Sequence, residues 1–588
     1  MKRLFSHLQK SIEILKLEGP RSLMRIAKRK ILLDKRYHFW WRKHRVKQNE
    51  LDKMKAENLE WDYLPTISLI VPVYNPSAKL LRAAIESVRS QVYTDWELCI
   101  CDDRSTASHV APILREYEEM DSRIKVITHE KNQHISGASN SALTLATGDY
   151  IALLDHDDLL TPDALHEVVK RLQLPIKDRP DILYSDEDKV ATPSGIHNTP
   201  FFKPDWSPEL LMSIMYIGHL GVYRRSLVEQ VGKFRKGYEG SQDFDLALRC
   251  TEQTDKIVHI PKILYHWRQH PDSTAGDISS KSYVFKAAHK ALKDALKRRG
   301  LKGTIEEGLW LGSYRTKLTT GKPLVSIIIP FRDKVELLKA CLNSFSKSTY
   351  TNIEFILVDN ESSENATQDY LNTLTNENIQ IIRYPHPFNF STINNVAAKS
   401  ANGDYLLFLN NDTEIISPDW IEAMLEHAQR PEIAAVGAKL LYPNHTVQHA
   451  GVVMGIAETA SHAFRHVSES THGYLGLKDV VRNVSAVTAA CLMMSKKVFT
   501  ELKGFNENYV IGYQDVDLCL RALKKGYRNV YTPYAVLTHH ESVTRNHAFA
   551  PHETELLQHE WKDFIKNDPF YNPNLTRTRE DYRLGNST

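Results

Sequence analysis

Four segments in the first half of this sequence recur, in the same order, in its second half. Each is a short apolar run, and each has a counterpart of similar sequence further along the chain. A chain of 588 residues is also longer than one hydrophobic core usually covers. A duplicated domain therefore accounts for both the repeat and the length. The matched segments are 67–75 with 325–333, 96–103 with 353–360, 124–128 with 379–383, and 148–155 with 403–410.

The apolar runs lack the alternation expected of a strand that has one face in water. Short continuous runs, separated by amphipathic stretches, are typical of parallel strands covered on both faces. We therefore predict an α/β fold in which each copy is a doubly wound, mostly parallel sheet. Ligands bind such sheets beyond the carboxyl ends of the strands, where both copies carry polar clusters. The clusters are Asn75, Asp102–Asp103 and 155–158 in the first copy, and Asp333, Asp359–Asn360 and 410–412 in the second.

Further segments flank the two copies. A lysine-rich stretch between them predicts a packing helix with a connector, and a helix-like stretch follows the second copy. The predicted regions are a basic helical N-terminal arm at 1–64, a first α/β domain at 65–278, a helical linker at 279–322, a second α/β domain at 323–546, and a C-terminal helix and tail at 547–588.

The N-terminal arm is the most basic part of the chain. Residues 1–47 hold fifteen Lys or Arg against three acids, interleaved with apolar residues and the pair Trp40-Trp41. Such a segment can lie on an anionic membrane leaflet with its aromatic rings at headgroup level. A helical extension whose basic face is simply solvated fits equally well. Both interpretations remain open at the level of sequence.

Composition excludes several other classes of protein. The net charge is only +3 and no nucleic-acid-binding module is present, so no nucleic-acid partner is expected. The six cysteines form no Cys-x-x-Cys pair, which argues against a zinc site or a disulfide framework. No apolar run reaches the roughly 18 residues that a spanning helix needs, and no signal peptide is apparent. We therefore expect a protein of the reducing cytoplasm.

A pair of carboxylates marks the first candidate site. Asp155 and Asp157 stand one residue apart, directly after a predicted buried strand. Mg²⁺ and Mn²⁺ bind carboxylate oxygens while sharing phosphate oxygens of a substrate. The pair therefore suits a divalent cation that accompanies a nucleoside diphosphate, although an isolated Asp-x-Asp arises often by chance.

A second motif recurs in both copies and strengthens this interpretation. Asp243 lies in Gln-Asp-Phe-Asp, and His266 follows it in Tyr-His-Trp-Arg. Asp515 lies in Gln-Asp-Val-Asp, and His539 follows at nearly the same separation. A single histidine is more often structural than a metal ligand, but its recurrence favours a functional role.

Both copies resemble family 2 glycosyltransferases of the GT-A fold, over 67–275 and 325–545. The tandem arrangement is similar to bacterial O-antigen and rhamnan polysaccharide assembly glycosyltransferases. The segments that carry the resemblance are Val71–Asn75, Cys101–Ser105, Leu154–Asp158, Tyr184–Asp188, Tyr265–Arg268, Phe408–Asp412 and His539–Ser542.

The resemblance implies a role for each candidate residue, and every role is an expectation at this point. The implied nucleotide-sugar ligands are Pro72, Tyr74, Asn75, Asp103, Asp155, Pro330, Asn360 and Asn410. The implied ligands of a divalent metal, Mn²⁺ or Mg²⁺, are Asp155, Asp157, His266, Asp412 and His539. The implied general bases are Asp243 and Asp515.

The second copy departs from the first at two positions. Asn410 replaces the first acid of the Asp-x-Asp, and Asn360 stands where the first copy has Asp103. An amide still offers a carbonyl oxygen to a metal, but it removes one negative charge. Because Asp515 and His539 persist, we expect an active second domain of different specificity.

The resemblance, together with the two recurring motifs, implies a bifunctional, inverting, metal-dependent hexosyltransferase. Direct displacement at the anomeric carbon needs a base on the acceptor hydroxyl and a stabilised diphosphate leaving group. The expected donors are nucleoside-diphosphate sugars such as dTDP-rhamnose or a UDP-hexose, and the expected acceptor is a polysaccharide or lipid-linked oligosaccharide of O-antigen or capsule type. We expect a cytoplasmic enzyme, peripheral on the inner face of the membrane. In the alternative, only the first domain is catalytic and the second is a glycan-binding or scaffold module.

Overall fold

The computed structural model describes residues 35–270, 282–541 and 551–585. The described chain divides into two compact units, each holding one copy of the repeat. The first unit comprises 35–203, 215–270 and 282–299, and the second comprises 204–214, 300–541 and 551–585.

The first unit is built on a nine-stranded mixed sheet. Its strands are β1 (Ile67–Val73), β2 (Trp96–Asp102), β3 (Ile124–Thr128), β4 (Tyr150–Leu153), β5 (Leu159–Leu160), β6 (Ile182–Ala191), β7 (Ile196–Phe201), β8 (Gly221–Arg224) and β9 (Ile257–Gln269). The order is β3-β2-β1-β4-β8-β6-β9-β5, with β7 beside β6. The first four strands in this order run parallel, whereas β8 pairs antiparallel with both neighbours.

Helices connect these strands and cover the sheet. A helical segment at 35–44 precedes them. The others in this half of the chain are α1 (Gln48–Leu59), α2 (Ala78–Arg89), α3 (Val110–Met120), α4 (His134–Leu145), α5 (Ala164–Arg171), α6 (Pro208–Leu211), α7 (Arg225–Gln230), α8 (Gln242–Thr251) and α9 (Ser282–Arg298). Of these, α6 belongs to the second unit.

The second unit repeats the plan with a ten-stranded sheet. Its strands are β12 (Val325–Phe331), β13 (Ile353–Asp359), β14 (Ile379–Arg383), β15 (Tyr405–Leu409), β16 (Thr413–Ile415), β17 (Ile433–Leu441), β18 (Val447–His449), β21 (Arg482–Val484), β22 (Cys491–Ser495) and β23 (Arg528–His539), beside the hairpins β10 (Gly303–Glu307) with β11 (Tyr314–Leu318) and β19 (Val452–Met454) with β20 (Ala460–His462). The main order, β14-β13-β12-β15-β22-β17-β23-β16, matches that of the first unit position by position.

The helices of the second unit follow the same pattern and continue past the repeat. They are α10 (Val335–Ser344), α11 (Asn365–Thr373), α12 (Phe390–Ser400), α13 (Trp420–Ala428), α14 (Lys496–Glu501), α15 (Gln514–Lys524), α16 (Pro551–Glu560) and α17 (Lys562–Lys566). No helix in the described ranges is both long enough and apolar enough to cross a membrane.

One polar contact of a buried serine recurs on the first strand of each copy. Ser68 Oγ donates to Glu97 Oε1 at 2.6 Å in the first copy. Ser326 Oγ donates to Glu354 Oε1 at 2.5 Å in the second. A buried hydroxyl needs a hydrogen-bond partner, and a glutamate at the equivalent position provides one in each copy. The two copies therefore share this contact as well as their strand order.

The predicted fold class is confirmed, since each copy is an α/β unit with a parallel-rich sheet. The predicted packing helix forms as α9. The region 279–322, treated as one linker in the sequence, instead divides between the units, because 300–322 belongs to the second. Residues 1–34 of the basic arm lie outside the described part of the chain.

Candidate functional site

The predicted polar clusters follow the ends of neighbouring parallel strands. β1 ends at Val73, β2 at Asp102 and β4 at Leu153. These strands are adjacent and parallel, so their carboxyl ends share one edge of the sheet. The equivalent strands of the second copy pair in the same way. Each copy therefore presents its candidate residues at the edge where α/β sheets bind ligands.

The turn after the first strand is the same in both copies. Asn75 Oδ1 accepts from the backbone N–H groups of Thr106 at 2.8 Å and Ala107 at 3.0 Å. Asp333 Oδ1 accepts from the two equivalent N–H groups, both at 2.8 Å. Both residues have left-handed backbones, with φ of 50° and 49°, a conformation that Asn and Asp tolerate. Their side chains hold the loop together, while Tyr74 beside Asn75 is 48% exposed and available to a ligand.

The next cluster inverts its hydrogen bonding between the copies. Asp103 is buried, and its Oδ1 accepts from Gln133 N–H at 2.7 Å and lies 2.7 Å from His129 Nδ1. Asn360 is equally buried, but its Nδ2 donates to the carbonyls of Tyr384 and His386. A carboxylate cannot donate these bonds, so Asn360 is matched to its own surroundings.

Three carboxylates gather in the loop after β4. One carboxylate oxygen from each of Asp155, Asp157 and Asp158 lies within 4.8 Å of the other two. Asp158 accepts from Tyr265 Oη at 2.8 Å and from Arg268 N–H at 2.7 Å. Burial raises the pKa of Asp155 and raises that of Asp158 well above its usual range, and the neighbouring carboxylates add to both shifts. Crowded oxygen donors of this kind fit a hard divalent cation.

A histidine that the sequence analysis did not select reaches this loop. His270 Nε2 lies 2.8 Å from Asp157 Oδ2. His266, the predicted ligand, instead places Nδ1 2.5 Å from Asp188 Oδ1. Both histidines stand in the same short stretch of sequence, and only the pairing of β9 with its neighbours decides which one faces the acidic loop.

Asp243, the predicted base, lies in the first turn of α8 and interacts electrostatically with Asp155 and His219. Burial raises the pKa of Asp243, and the Asp155 carboxylate adds to the shift. His219 Nε2 is 3.7 Å from Asp155 Oδ2, and its ring stacks on Tyr265 with centroids 4.4 Å apart. His219 thus stands as an aromatic, ionisable neighbour of both carboxylates, and no sequence motif pointed to it.

The corresponding loop of the second copy holds fewer charges. His539 Nε2 lies 3.1 Å from Asp412 Oδ1 and 3.3 Å from Asn410 Nδ2. Thr413 replaces the third carboxylate of the first copy and bonds the carbonyl of Asn410. The loop therefore keeps one carboxylate and one histidine from its predicted metal ligands.

The strand register corrects one equivalence drawn from the sequence. Leu159 pairs with His266 in the first copy, whereas Thr413 pairs with His539 in the second. Thr413 occupies the place of Asp158, one residue before that of Leu159. His539 therefore lies one residue further along its strand than His266 does, and a shift of one residue turns a side chain to the opposite face. The matching of these two histidines by sequence was wrong for this reason.

Asp515, the predicted base of the second copy, is held by the backbone. Its Oδ2 accepts from Ala489 N–H and its Oδ1 from Val516 N–H, both at 2.8 Å. Burial raises the pKa of Asp515, and these backbone hydrogen bonds oppose the shift. The side chain thus combines a fixed orientation with reduced solvation.

The C-terminal helix α16 secures the loop that leads to Asp515. Glu553 is fully buried and accepts from the three successive backbone N–H groups of 510–512, at 2.6 to 2.9 Å. Trp561, after the same helix, donates to Asp517 Oδ1 at 3.2 Å. Residues beyond the repeat therefore position helix α15, which carries Asp515, a role that the sequence did not reveal.

Comparisons with known proteins give the family that this chain matches and several relatives. The model of the family described as Glycosyl transferase family 2 matches residues 68–232 and 326–502. The chain is 43% identical over 537 residues to Uncharacterized protein y4gI of Sinorhizobium fredii, covering 88% of this chain and 58% of that protein. It is 40% identical over 528 residues to O-antigen biosynthesis protein RfbC of Myxococcus xanthus, covering 88% and 41%.

A shorter match is the Chondroitin synthase of Escherichia coli, 31% identical over 255 residues, covering 42% of this chain and 35% of that protein. Among solved structures, S. aureus TarS 1-349 matches with 18% identity and a TM-score of 0.32, covering 39% of this chain and 65% of that one. The chain spans about half the length of the two relatives that match most of it.

Proposed function

The chain belongs to glycosyl transferase family 2, and from that membership we propose that it transfers sugars from nucleoside-diphosphate donors at two sites, one in each copy. The observation that carries the proposal lies in the first copy. There, Asp155, Asp157, Asp158 and His270 meet at the carboxyl edge of the sheet, and Asp243 interacts electrostatically with Asp155. In the proposal, the clustered carboxylates and His270 serve the diphosphate leaving group, and Asp243 serves the acceptor hydroxyl.

A divalent cation, Mn²⁺ or Mg²⁺, fits the donor set of the first copy. Asp155, Asp157 and His270 would hold it, and Asp158 is committed to Tyr265 and the backbone of Arg268. When bound, such an ion neutralises negative charge on the diphosphate leaving group. His266, the ligand expected from the sequence, bonds Asp188 and takes no part in this set.

Asp243 acts in the proposal as the base that accepts the proton of the acceptor hydroxyl. Its raised pKa suits this role, because a base is most effective when its pKa approaches the working pH. The hydroxyl oxygen then attacks the anomeric carbon from the side opposite the diphosphate. No nucleophilic carboxylate intervenes, so the product has inverted configuration.

The remaining contacts with the nucleotide are proposed because their residues lie at the carboxyl ends of the strands. Pro72, Tyr74 and Asp103 stand at the ends of β1 and β2, and Pro330 and Asn360 stand at the equivalent places in the second copy. A half-exposed tyrosine ring can stack on a nucleobase, and Tyr74 offers one. In the second copy this position is Arg332, so the two copies would hold their nucleotides differently.

The second copy is proposed as a second transferase of different donor specificity. Asp515 is half-buried and held by two backbone N–H groups, while the loop at Asn410 and Asp412 carries less negative charge. The alternative is that the second copy only binds glycan or serves as a scaffold. The two hypotheses can be told apart by one measurement, because only a second transferase needs Asp515 for a transfer reaction.

The proposed acceptor is a polysaccharide or lipid-linked oligosaccharide of the O-antigen or capsule type. Support comes from the 40% identity to O-antigen biosynthesis protein RfbC over most of this chain. A dTDP-rhamnose or UDP-hexose donor and a place on the inner face of the membrane, reached through residues 1–47, complete the proposal.

The test is transfer by the full chain from UDP-, GDP- and dTDP-sugars, with Mn²⁺, Mg²⁺ or a chelator, to a lipid-linked oligosaccharide. We expect metal-dependent transfer and, by NMR of the product, an anomeric configuration opposite to that of the donor. Retained configuration would refute direct displacement. If no donor gives turnover or metal-dependent nucleotide binding, neither copy is a transferase. Both copies would then be binding or scaffold modules.

A further inference from the structure

A second group of potential metal ligands lies in the first unit, apart from the acidic loop. Asp188 on β6, His197 on β7 and His266 on β9 bring ligand atoms within 4.8 Å of one another. Because the three residues stand on three paired strands, the sheet itself brings them together. Neither the Asp-x-Asp loop nor the base helix contributes to this group.

The contacts within the group are short and shielded from water. Asp188 is fully buried, with His266 Nδ1 2.5 Å from its Oδ1 and His197 Nδ1 2.8 Å from its Oδ2. The side chains of His266 and His197 are 8% and 15% exposed. Both imidazoles thus turn the same ring nitrogen toward one carboxylate.

The helical segment 35–44 covers the group. Tyr37 Oη donates to Asp188 Oδ2 at 2.7 Å. The Trp41 ring lies 4.8 Å from that of His266 and 4.9 Å from that of His197. In metal sites, residues that hydrogen-bond to a metal ligand orient that ligand and tune its basicity. Tyr37 makes such a hydrogen bond to Asp188.

We propose that Asp188, His197 and His266 form a second metal site, which takes a transition-metal dication such as Zn²⁺. Two imidazoles and one carboxylate are a donor set that such ions prefer, whereas Mg²⁺ and Ca²⁺ favour all-oxygen sites. An ion here joins three strands directly beneath the segment 35–44. The site is independent of the proposed transferase chemistry, since it shares no residue with the acidic loop or with Asp243.

The competing arrangement is a purely hydrogen-bonded cluster, in which each imidazole donates one N–H to Asp188. The two arrangements differ in what happens when His197 becomes glutamine. The amide of glutamine can still donate to Asp188, but it is a poor ligand for Zn²⁺ or Co²⁺. A hydrogen-bonded cluster therefore tolerates H197Q, and a metal site does not.

The experiment uses the full chain, stripped with a chelator and titrated with Co²⁺ as a spectroscopic probe, followed by displacement with Zn²⁺. Four proteins are compared: wild type, H197Q, the double variant D155N/D157N, and H445Q as a matched control. His445 is 79% exposed and pairs with Glu469, so it tests the loss of a surface histidine that faces a carboxylate.

We expect wild type, D155N/D157N and H445Q to show the visible bands of histidine-bound Co²⁺, and Zn²⁺ to displace them. H197Q should lose the bands that D155N/D157N retains, and it should bind the probe at least tenfold more weakly at this site. Equal spectra and stoichiometry in wild type and H197Q would overturn the proposal. If circular dichroism shows that H197Q does not fold, the test rests on D155N/D157N, which keeps the proposed second site. Absence of the Co²⁺ bands in this variant, with no rise in its Tm when Zn²⁺ is added, would reject the site.

Discussion

The two copies agree where the backbone sets the geometry and differ where charge is concentrated. The turns at Asn75 and Asp333 use the same backbone conformation and the same pair of accepted hydrogen bonds. The loops after β4 and β15 diverge, with three clustered carboxylates in the first copy and Asp412 beside His539 in the second. A duplicated scaffold can thus retain the backbone of this edge of the sheet while the charge at the edge changes.

The copies also differ in the surroundings of the proposed bases, Asp243 and Asp515. Asp243 lies in an electrostatic group with His219 and Asp155. Asp515 is fixed by backbone N–H groups, and Glu553 fixes the loop before it. Asp243 therefore lies among charges of its own site, whereas the loop before Asp515 depends on a helix outside the repeat.

The largest expected effect separates the two copies completely. Asp243→Asn and Asp515→Asn each remove a proposed base, and loss of general base catalysis lowers a rate by about 10² to 10⁴-fold. Each variant should abolish one linkage in the product and leave the other, as read by NMR of the product glycan. If D515N leaves every linkage intact, the second copy is not a transferase.

The loops after β4 and β15 differ in charge, and exchanging a residue between them tests whether this charge sets the affinity for the metal. Asp155→Asn gives the first loop the amide of the second, and Asn410→Asp does the reverse. One carboxylate ligand fewer should raise the Mn²⁺ concentration for half-maximal transfer by the first copy at least about tenfold, as second-sphere losses alone reach 10 to 100-fold.

The reverse change, N410D, should lower the Mn²⁺ requirement of the second copy. The measurement is initial rate against free Mn²⁺ for each linkage separately. An unchanged metal requirement in both variants would show that these loops do not hold the ion.

Glu553→Gln tests the support that only the second copy has. Neutralising a fully buried acceptor of three N–H groups should cost about 1 to 3 kcal/mol, because hydrogen bonds to a charged group are strong. We expect slower transfer by the second copy, unchanged transfer by the first, and a lower Tm. The control is Glu555→Gln on the exposed face of the same helix. Equal effects of E553Q on both linkages would contradict a local role.

The smallest effect on stability is expected at the turns of Asn75 and Asp333, which have the same conformation in both copies. Asn75→Asp and Asp333→Asn exchange the two turn residues, and both side chains retain the oxygen that accepts two N–H groups. Each exchange should change the free energy of unfolding by less than about 1 kcal/mol, whereas alanine at either position leaves the N–H groups without this partner. Chemical denaturation of the four variants measures this. A large effect of either exchange would mean that the turns are not equivalent.

Much of the fold was predictable because its signals are local. Apolar runs in preserved order predicted the strands of both copies, and the parallel pairing of β1, β2 and β4 then placed Asn75, Asp103 and Asp155 at one edge. The equivalence of the two turns was likewise visible in the matched segments.

The choice between His266 and His270 was not predictable in this way. Both lie on β9 or directly after it, and their orientation depends on how β9 pairs with β5 and β6, with bulges that no local pattern announces. The same limit applies to Glu553, which reaches the loop at 510–512 from a separate helix.

The sequence by itself determined the duplication, the α/β class and the edge of each sheet where polar residues collect, because these follow from short-range patterns of apolar and polar residues. Tertiary structure alone decided which histidine meets Asp157, that Asp188, His197 and His266 converge, and what holds the helix of Asp515. These contacts join residues distant in sequence, and strand register, which a single residue can shift, sets which side chains meet.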